Sequence, residues 1–540
     1  MTTTSTTQPV ALRPRIRATG TTRPPLSLLL VAGIVALAAI IPLAYLVIRA
    51  TDGGVDALIP LFRARTLELI VSTMSLGLAV IVGAVGLGVP LAWLTVRTDL
   101  PARRAWSILT IAPLAIPSYL LAFAFVGAFA PRGWVSSLLE PLGGLAPPSS
   151  YGFGGTVLVL SLATMPYVVI STRAALMRLD PATEEAARSL GRGPWGAART
   201  AIVPIILPAV GAGALLACLY AISDFGAVSI LRYDTLATAI YSQYRFSFDR
   251  SGAAVLALLL LGLALLLVWA EGRVRRRSAL ATPHGRKRVP ETIRLGSWRW
   301  PAVAFCGSVA LLALGIPIIT ISLWLLDGLT RGLEFEIGLA ALRDSLVLAG
   351  SAALFAVVLS VPLARLVTHF PGRWSTLTER LLYATYAIPG ISLALAIVFF
   401  TLNAMPLLYQ TLFALVVAIT LRYLVQSVGV LRGPMLQVSP RTVEAARSLG
   451  EGSIGVLRSI TLPLLRPGLV AGATLVLLSA LKELPLTLLL APPGYSTLAT
   501  ELWDAAREGF YTQAAIPAAL LLGVSFISVG LLVRRGEIEA

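Results

Sequence analysis

Seven consecutive residues, Glu185-Ala186-Ala187-Arg188-Ser189-Leu190-Gly191, return unchanged as Glu444-Ala445-Ala446-Arg447-Ser448-Leu449-Gly450, 259 positions further along the chain. The same spacing pairs Pro181 with Pro440, Pro204 with Pro463 and Pro208 with Pro467. A matched block with prolines in register exceeds what an Ala-, Leu- and Arg-rich composition gives by accident, so the chain reads as a tandem duplication. Any fold it adopts must be built twice and must present this polar loop twice.

Composition sets the medium. Hydrophobic residues make up 57% of the 540 and charged residues 13%, with a mean hydropathy of +0.84. A water-soluble chain cannot hide that much apolar surface, so the bulk belongs in lipid. The net charge of +17 does not point to nucleic acid, because the arginines lie between apolar runs instead of along one face. Cys218 and Cys306 both fall inside apolar segments, so a disulfide is not expected and two thiols are too few for a cysteine metal site. His284 and His369 lie in basic stretches and do not suggest zinc; the metal ligands, if any, are unknown at this stage.

The chain divides into a Thr-rich tail (1–25), a first half (26–271), a basic linker (272–299), a second half (300–534) and a short tail (535–540). Apolar runs long enough for a bilayer, about 20 residues, fall in the first half at Leu26–Ile48, Leu69–Val96, Trp106–Ala130, Gly154–Met177, Ile205–Ser223 and Ala253–Trp269. The second half repeats them at Trp300–Leu326, Ser345–Val367, Leu381–Leu402, Leu407–Val430, Leu469–Leu490 and Ala514–Val533. The expected fold is an all-α polytopic membrane protein of about twelve transmembrane helices in two parallel six-helix repeats. The first run is too long for a secretory signal and is expected to stay as a helix.

Loop charge sets the expected orientation. The tail, the loop with Arg97, Arg103 and Arg104, both motif loops (180–203 and 439–462) and the linker with Arg273, Arg275, Arg276 and Arg277 are all Arg-rich. The alternate loops are sparse or mix signs, so both termini, the linker and both motif loops are expected in the cytoplasm. Further repeats accompany the motif: Val89-Pro90-Leu91-Ala92 with Val361-Pro362-Leu363-Ala364, Ala115-Ile116-Pro117 with Ala387-Ile388-Pro389, and Thr235-Leu236-Ala237-Thr238 with Thr497-Leu498-Ala499-Thr500. The first span of each half lacks such a match and is expected on the outside of the bundle.

Within the motif loop, Asp180-Pro181 and Ser439-Pro440 have the pattern of an N-cap followed by proline at the first helical position. Gly191 and Gly450 stand where a left-handed C-terminal cap belongs. Each loop therefore holds a helix of about ten residues, or roughly 15 Å. Ala186 and Ala187 keep one side slim enough for a groove on another protein. An ordinary solvated loop with a Glu185–Arg188 pair would look similar in one copy; two identical copies favour a docking device.

These residues resemble the cytoplasmic loop of permease subunits of binding-protein-dependent ABC importers, with the Glu-Ala-Ala, the glycine three residues later and the following Pro-bearing apolar stretch. The resemblance covers nearly the whole chain and implies the type I ABC importer permease fold with both halves fused. It implies that Glu185, Ala186, Ala187, Arg188 and Gly191, with Glu444, Ala445, Ala446, Arg447 and Gly450, form coupling helices docked on two ATPase subunits. It also implies an extracytoplasmic substrate-binding protein, one permease chain per complex, ATP-Mg on the partner ATPase only, and the bacterial cytoplasmic (inner) membrane, with lipid and not nucleic acid around it. Glu184 has Val443 as its counterpart and Arg192 has Glu451, so the two docking surfaces differ in charge. A P-loop is missing, since neither Lys287 nor Lys482 follows a glycine as that motif requires. The chain is expected to be no enzyme and to hold no cofactor.

The motif spacing also places Glu483 opposite Asp224, about 30 Å of helix beyond the loop and so near the outer end of related helices. An acidic pair beside a path would draw a cation, and carboxylate oxygen suits a hard metal ion. The alternative is structural, with Asp224 capping a turn before Gly226 and Glu483 paired with Lys482. Tyr220 and nearby tyrosines can add oxygen, or serve as interface belt residues. The stretches Asp224-Phe225-Gly226-Ala227-Val228-Ser229 and Lys482-Glu483-Leu484-Pro485 look like the fused permeases of ferric iron importers. Related fused permeases carry thiamine, phosphonates or polyamines. An ion-coupled secondary transporter is the competing class, but it requires ionisable groups at mid-membrane and leaves the duplicated loop without a purpose. A membrane enzyme would need a metal cluster or a nucleophile with its base.

Overall fold

The computed structural model describes residues 24–52, 62–142, 148–247, 249–280, 292–332 and 335–534. The tail up to residue 23, the middle of the linker with His284 and Lys287, and the tail 535–540 lie outside the described residues.

The first half runs α1 (Leu26–Thr51), α2 (Ala64–Arg97), α3 (Arg103–Leu109), α4 (Ser118–Phe129), α5 (Trp134–Leu139) and α6 (Gly152–Met177). The motif helix α7 (Pro181–Ser189) and the turn α8 (Pro194–Ala197) follow, then α9 (Val203–Ser223), α10 (Gly226–Ile230), α11 (Leu236–Arg245) and α12 (Arg250–Leu280). In the second half, α13 (Arg299–Ala310) and α14 (Ile316–Thr330) join through a π-helical turn at Leu311–Gly315. Then come α15 (Phe335–His369), α16 (Arg373–Ala387), α17 (Gly390–Ala404), α18 (Leu412–Gln437), α19 (Pro440–Ser448) and α20 (Ser453–Val456). The chain closes with α21 (Leu462–Leu481), α22 (Pro485–Leu490), α23 (Leu498–Glu508) and α24 (Tyr511–Arg534). Leaving α5 aside, α2–α4 and α6–α12 correspond in order to α15–α24, so the duplication extends to every later helix.

Among the described residues, 11 helices are long and apolar enough to cross a bilayer, or 12 if the bent pair α16 and α17 counts as one span. That pair corrects the expectation of an unbroken span at Leu381–Leu402. The axis turns by 104°, because Ile388 precedes a proline and takes an extended conformation (φ −64°, ψ 127°). Ile116 before Pro117 does the same at φ −87°, ψ 123°, dividing the expected Trp106–Ala130. The expected Leu469–Leu490 is likewise interrupted after Leu481 and resumes at Pro485. At the other end of the half, α12 continues through the basic residues to Leu280, past the expected end at Trp269. The Arg273 guanidinium lies 3.8 Å from the Trp269 ring centroid, and such cation–π stacking suits a helix leaving the membrane.

The first spans lie outside, as expected, but each clasps the opposite half. On α1, Leu28, Ala32, Val35, Ala39 and Leu46 are buried at helical spacing while Leu26, Leu30, Ile34 and Leu37 are exposed. The buried stripe packs on α12 of its own half and on α15 and α17 of the other. In return α14 packs on α24 and on α4, with the Trp324 and Phe123 ring centroids 4.9 Å apart. The Trp134 indole Nε1 donates to Thr320 Oγ1 at 2.9 Å across the same junction.

The repeated Thr-Leu-Ala-Thr now has a reason. Thr235 with Thr238 and Thr497 with Thr500 form reciprocal capping boxes at the starts of α11 and α23. The next backbone N–H in each case donates to a hydroxyl of the second span of its half, Leu236 N to Thr73 Oγ1 on α2 at 3.0 Å and Leu498 N to Ser345 Oγ on α15 at 2.8 Å. Both free cysteines are buried.

Candidate functional site

The two motif helices stand on one face of the bundle, each between the fourth and fifth span of its half. Asp180 caps α7 by accepting from Ala182 N at 3.0 Å; Ser439 makes no such side-chain bond. Gly191 (φ +81°) and Gly450 (φ +90°) adopt the left-handed conformation. Arg192 N donates to Ala187 O at 3.4 Å and Gly191 N to Arg188 O at 3.0 Å. Glu451 N and Gly450 N repeat both bonds with Ala446 O at 3.1 Å and Arg447 O at 3.0 Å. This is the Schellman arrangement, and it explains the glycine of the repeat.

Exposure singles out one surface. Glu185, Ala186 and Arg188, with Glu444, Ala445 and Arg447, face outward, while Ala187 is half-buried and Ala446 is buried. Leu190 is 81% exposed and Leu449 87%. Sequence reasoning named neither leucine as a site residue, although both belong to the repeated block. The available signal was a leucine repeated directly before the capping glycine of an otherwise polar loop. Each motif helix feeds through a π-helical turn, Ala198–Ile202 or Leu457–Thr461, into α9 or α21. Pro204 and Pro463 lack the N–H that would continue the regular ladder, which accounts for the widened turn.

Far from this face, the breaks in both halves converge on a cavity of about 240 Å³. It is lined by Ile116, Pro117, Ser118 and Tyr119 at one break and Ala387 and Ile388 at the other. The ends of α9 and α21 contribute Tyr220, Ser223 and Asp224, and Ser479, Lys482 and Glu483; α6 and α18 contribute Tyr167, and Arg422, Tyr423 and Gln426. Asp224, Glu483 and Tyr220 line this one cavity; the repeat spacing had set only the two acids opposite each other.

The two carboxylates nevertheless have local duties. Asp224 accepts from Ser118 Oγ and from Ala227 N at 2.8 Å, so it caps α10. Glu483 accepts from the Tyr423 hydroxyl and from Leu486 N at 3.3 Å, and faces Arg422 Nε at 3.6 Å. It does not pair with Lys482 as the structural alternative supposed: Lys482 Nζ reaches across the halves to Leu114 O at 2.7 Å. Arg422 and Tyr423 were missed in the sequence; the signal was a lone arginine inside an otherwise apolar span. Among the described residues, no three His, Cys, Asp or Glu side chains group as a metal site.

Two six-span halves, each with an exposed short helix on one face and a polar cavity between them, define a two-fold membrane permease. The sequence matches the model of the binding-protein-dependent transport system inner membrane component twice, over residues 84–279 and 356–535. The chain belongs to this family. It is 33% identical over 508 residues to the Fe(3+)-transport system permease protein FbpB 2 of Haemophilus influenzae, covering 93% of this chain and 96% of that one. The molybdenum transport system permease protein ModB of Escherichia coli is 28% identical over 213 residues, 38% of this chain and 90% of its own. A probable sulfate transport system permease protein of Chlorokybus atmophyticus is 27% identical over 187 residues, 34% of this chain and 64% of its own. The protein is therefore the multi-pass inner-membrane permease subunit of an ABC importer, a non-catalytic transport component whose family works with an ATPase and a binding protein.

Proposed function

We propose that this permease carries ferric iron, received from an extracytoplasmic binding protein and released into the cytoplasm. The observation that carries the iron reading is the likeness to the Haemophilus influenzae Fe(3+) permease along 93% of the chain. In this reading α7 and α19 are coupling helices, each seated on one of two ATPase subunits, with one permease chain per complex and both termini cytoplasmic. Two exposed leucines next to two slim, well-capped helices support it, since large apolar side chains on a protruding loop are usually covered.

ATP-Mg bound by the ATPase pair closes it and moves the two levers. The halves then rock about the axis between them, alternating outward and inward access. The π-turns and the Ile-Pro breaks supply the places where the levers meet the spans and where the spans bend. Asp224, Glu483 and Tyr220 line the path through the central cavity. The chain itself performs no bond chemistry; it supplies two packings of different stability.

The test is ATP-dependent uptake of radiolabelled ferric iron into proteoliposomes holding the permease, its ATPase and its binding protein. Uptake is expected, and Asp224→Asn with Glu483→Gln is expected to lower it while the ATPase still co-purifies. Unchanged uptake in the double variant would remove the acids from the path. Absence of iron uptake by an assembled, ATP-hydrolysing complex would end the iron reading.

A further inference from the structure

Three buried polar atoms around the central cavity find no hydrogen-bond partner among the described residues, Arg422 Nη1, the Tyr119 hydroxyl and Ser223 Oγ, while Arg422 Nε has only its ion pair with Glu483 at 3.6 Å. Buried donors are nearly always bonded, and leaving one open costs about 1–3 kcal/mol. Lys482 Nζ adds to the surplus, since its bond to Leu114 O uses one of three N–H groups. The acceptors in the same cavity are already engaged, Asp224 by Ser118 and Ala227, and Glu483 by Tyr423 and Leu486. N–H groups on Arg422 and Lys482 therefore remain unbonded, and the first of these cations is fork-shaped.

The packing also fixes where that fork sits. A Cβ at Gly390 would stand 2.5 Å from Arg422 Nη1 and 3.1 Å from Glu483 Oε1, so only glycine there leaves the guanidinium its position. Both cations come from the second half: the 259-residue spacing puts Ala163 opposite Arg422 and Ser223 opposite Lys482, whereas the two acids match each other.

We propose that the cavity contains an oxyanion subsite, with Arg422 and Lys482 supplying charge and Tyr119 and Ser223 completing the hydrogen bonds. A guanidinium fork matches two oxygens of a phosphate, sulfate or carboxylate group. The oxyanion arrives either free or as a ligand on the transported metal. The proposal rests on the reading of this cavity as the transport path.

Inorganic phosphate is the probe. Titrated into the purified full-length permease in nanodiscs, it is expected to bind, with affinity falling at least about tenfold in Arg422→Gln and in Lys482→Gln. Arg422→Lys, which keeps the charge but loses the fork, is expected to fall between, and ATPase co-purification checks that each variant is assembled. No binding at millimolar phosphate, or equal affinity in wild type and both Gln variants, would overturn the proposal. Uptake by the whole transporter with labelled phosphate distinguishes the sources: entry only together with ferric iron marks a metal-borne oxyanion, and entry without iron a free one. If phosphate binds as stated and no iron is carried, the subsite stands and the ferric reading falls; if iron is carried and phosphate does not bind, the reverse holds.

Discussion

The guanidinium of Arg97, at the end of α2, is paired with the carboxylate of Glu184 on α7, so the first motif helix is tied to a membrane span through a buried ion pair. Arg97 is 3% exposed and also stands over the Trp93 ring, 5.8 Å from its centroid. The corresponding positions in the second half are His369 and Val443, and there His369 Nε2 meets Val438 O at 3.3 Å. The linker adds to the first attachment, with Ile293 N donating to Arg97 O at 2.7 Å and Leu295 N to Asp99 Oδ1 at 2.8 Å. The two motif helices share the seven-residue block and differ in how they are fastened.

Glu184→Gln is expected to leave Arg97 buried without its counter-charge, at a cost of about 3 kcal/mol. That energy corresponds to roughly a hundredfold faster amide exchange if α7 opens locally. Exchange mass spectrometry is expected to show the change in α7 and none in α19. Equal changes in both helices would mean that the ion pair does not act locally.

Gly191→Ala and Gly450→Ala place a Cβ in open space, yet both positions hold positive φ. Each substitution is therefore expected to cost about 1–2 kcal/mol through backbone strain alone. Loosened last turns of α7 and α19, seen by amide exchange, with intact membrane insertion would be the result. Unchanged exchange would show that the cap does not set the helix end.

Trp503 is buried on α23 and meets Phe225 and Tyr241 of the other half at 5.8 Å and 5.7 Å between centroids. Trp503→Ala is expected to cost about 3–5 kcal/mol and to lower the thermal transition of the detergent-solubilised chain. A transition unmoved by the change would mean that this contact does not hold the halves together.

Much of this architecture was legible because duplication repeats its constraints. The Glu-Ala-Ala…Gly block, the Thr-Leu-Ala-Thr caps and the Ile-Pro pairs each mark a local backbone rule, and each reappears as a cap or a break. Apolar length gave the number of spans but not their interruptions, since hydropathy continues unchanged through Ile116-Pro117 and Ile388-Pro389. The spacing set Asp224 and Glu483 opposite each other near the ends of related helices. It could not reveal that Ser118, Tyr423 and Arg422 would occupy their oxygens, because those partners come from other helices. The crossing of α1 and α14 onto opposite halves was also hidden, as both read only as apolar runs.

The most direct measurement is cross-linking from Leu190→Cys and Leu449→Cys to the ATPase in native membranes. The native thiols, Cys218 and Cys306, are both buried and leave the introduced ones distinguishable. Each single variant is expected to give an adduct with one ATPase subunit, and the double variant an adduct with two. Cysteines at 190 and 449 that react freely with a membrane-impermeant maleimide added from outside the cell, and form no ATPase adduct, would contradict the account.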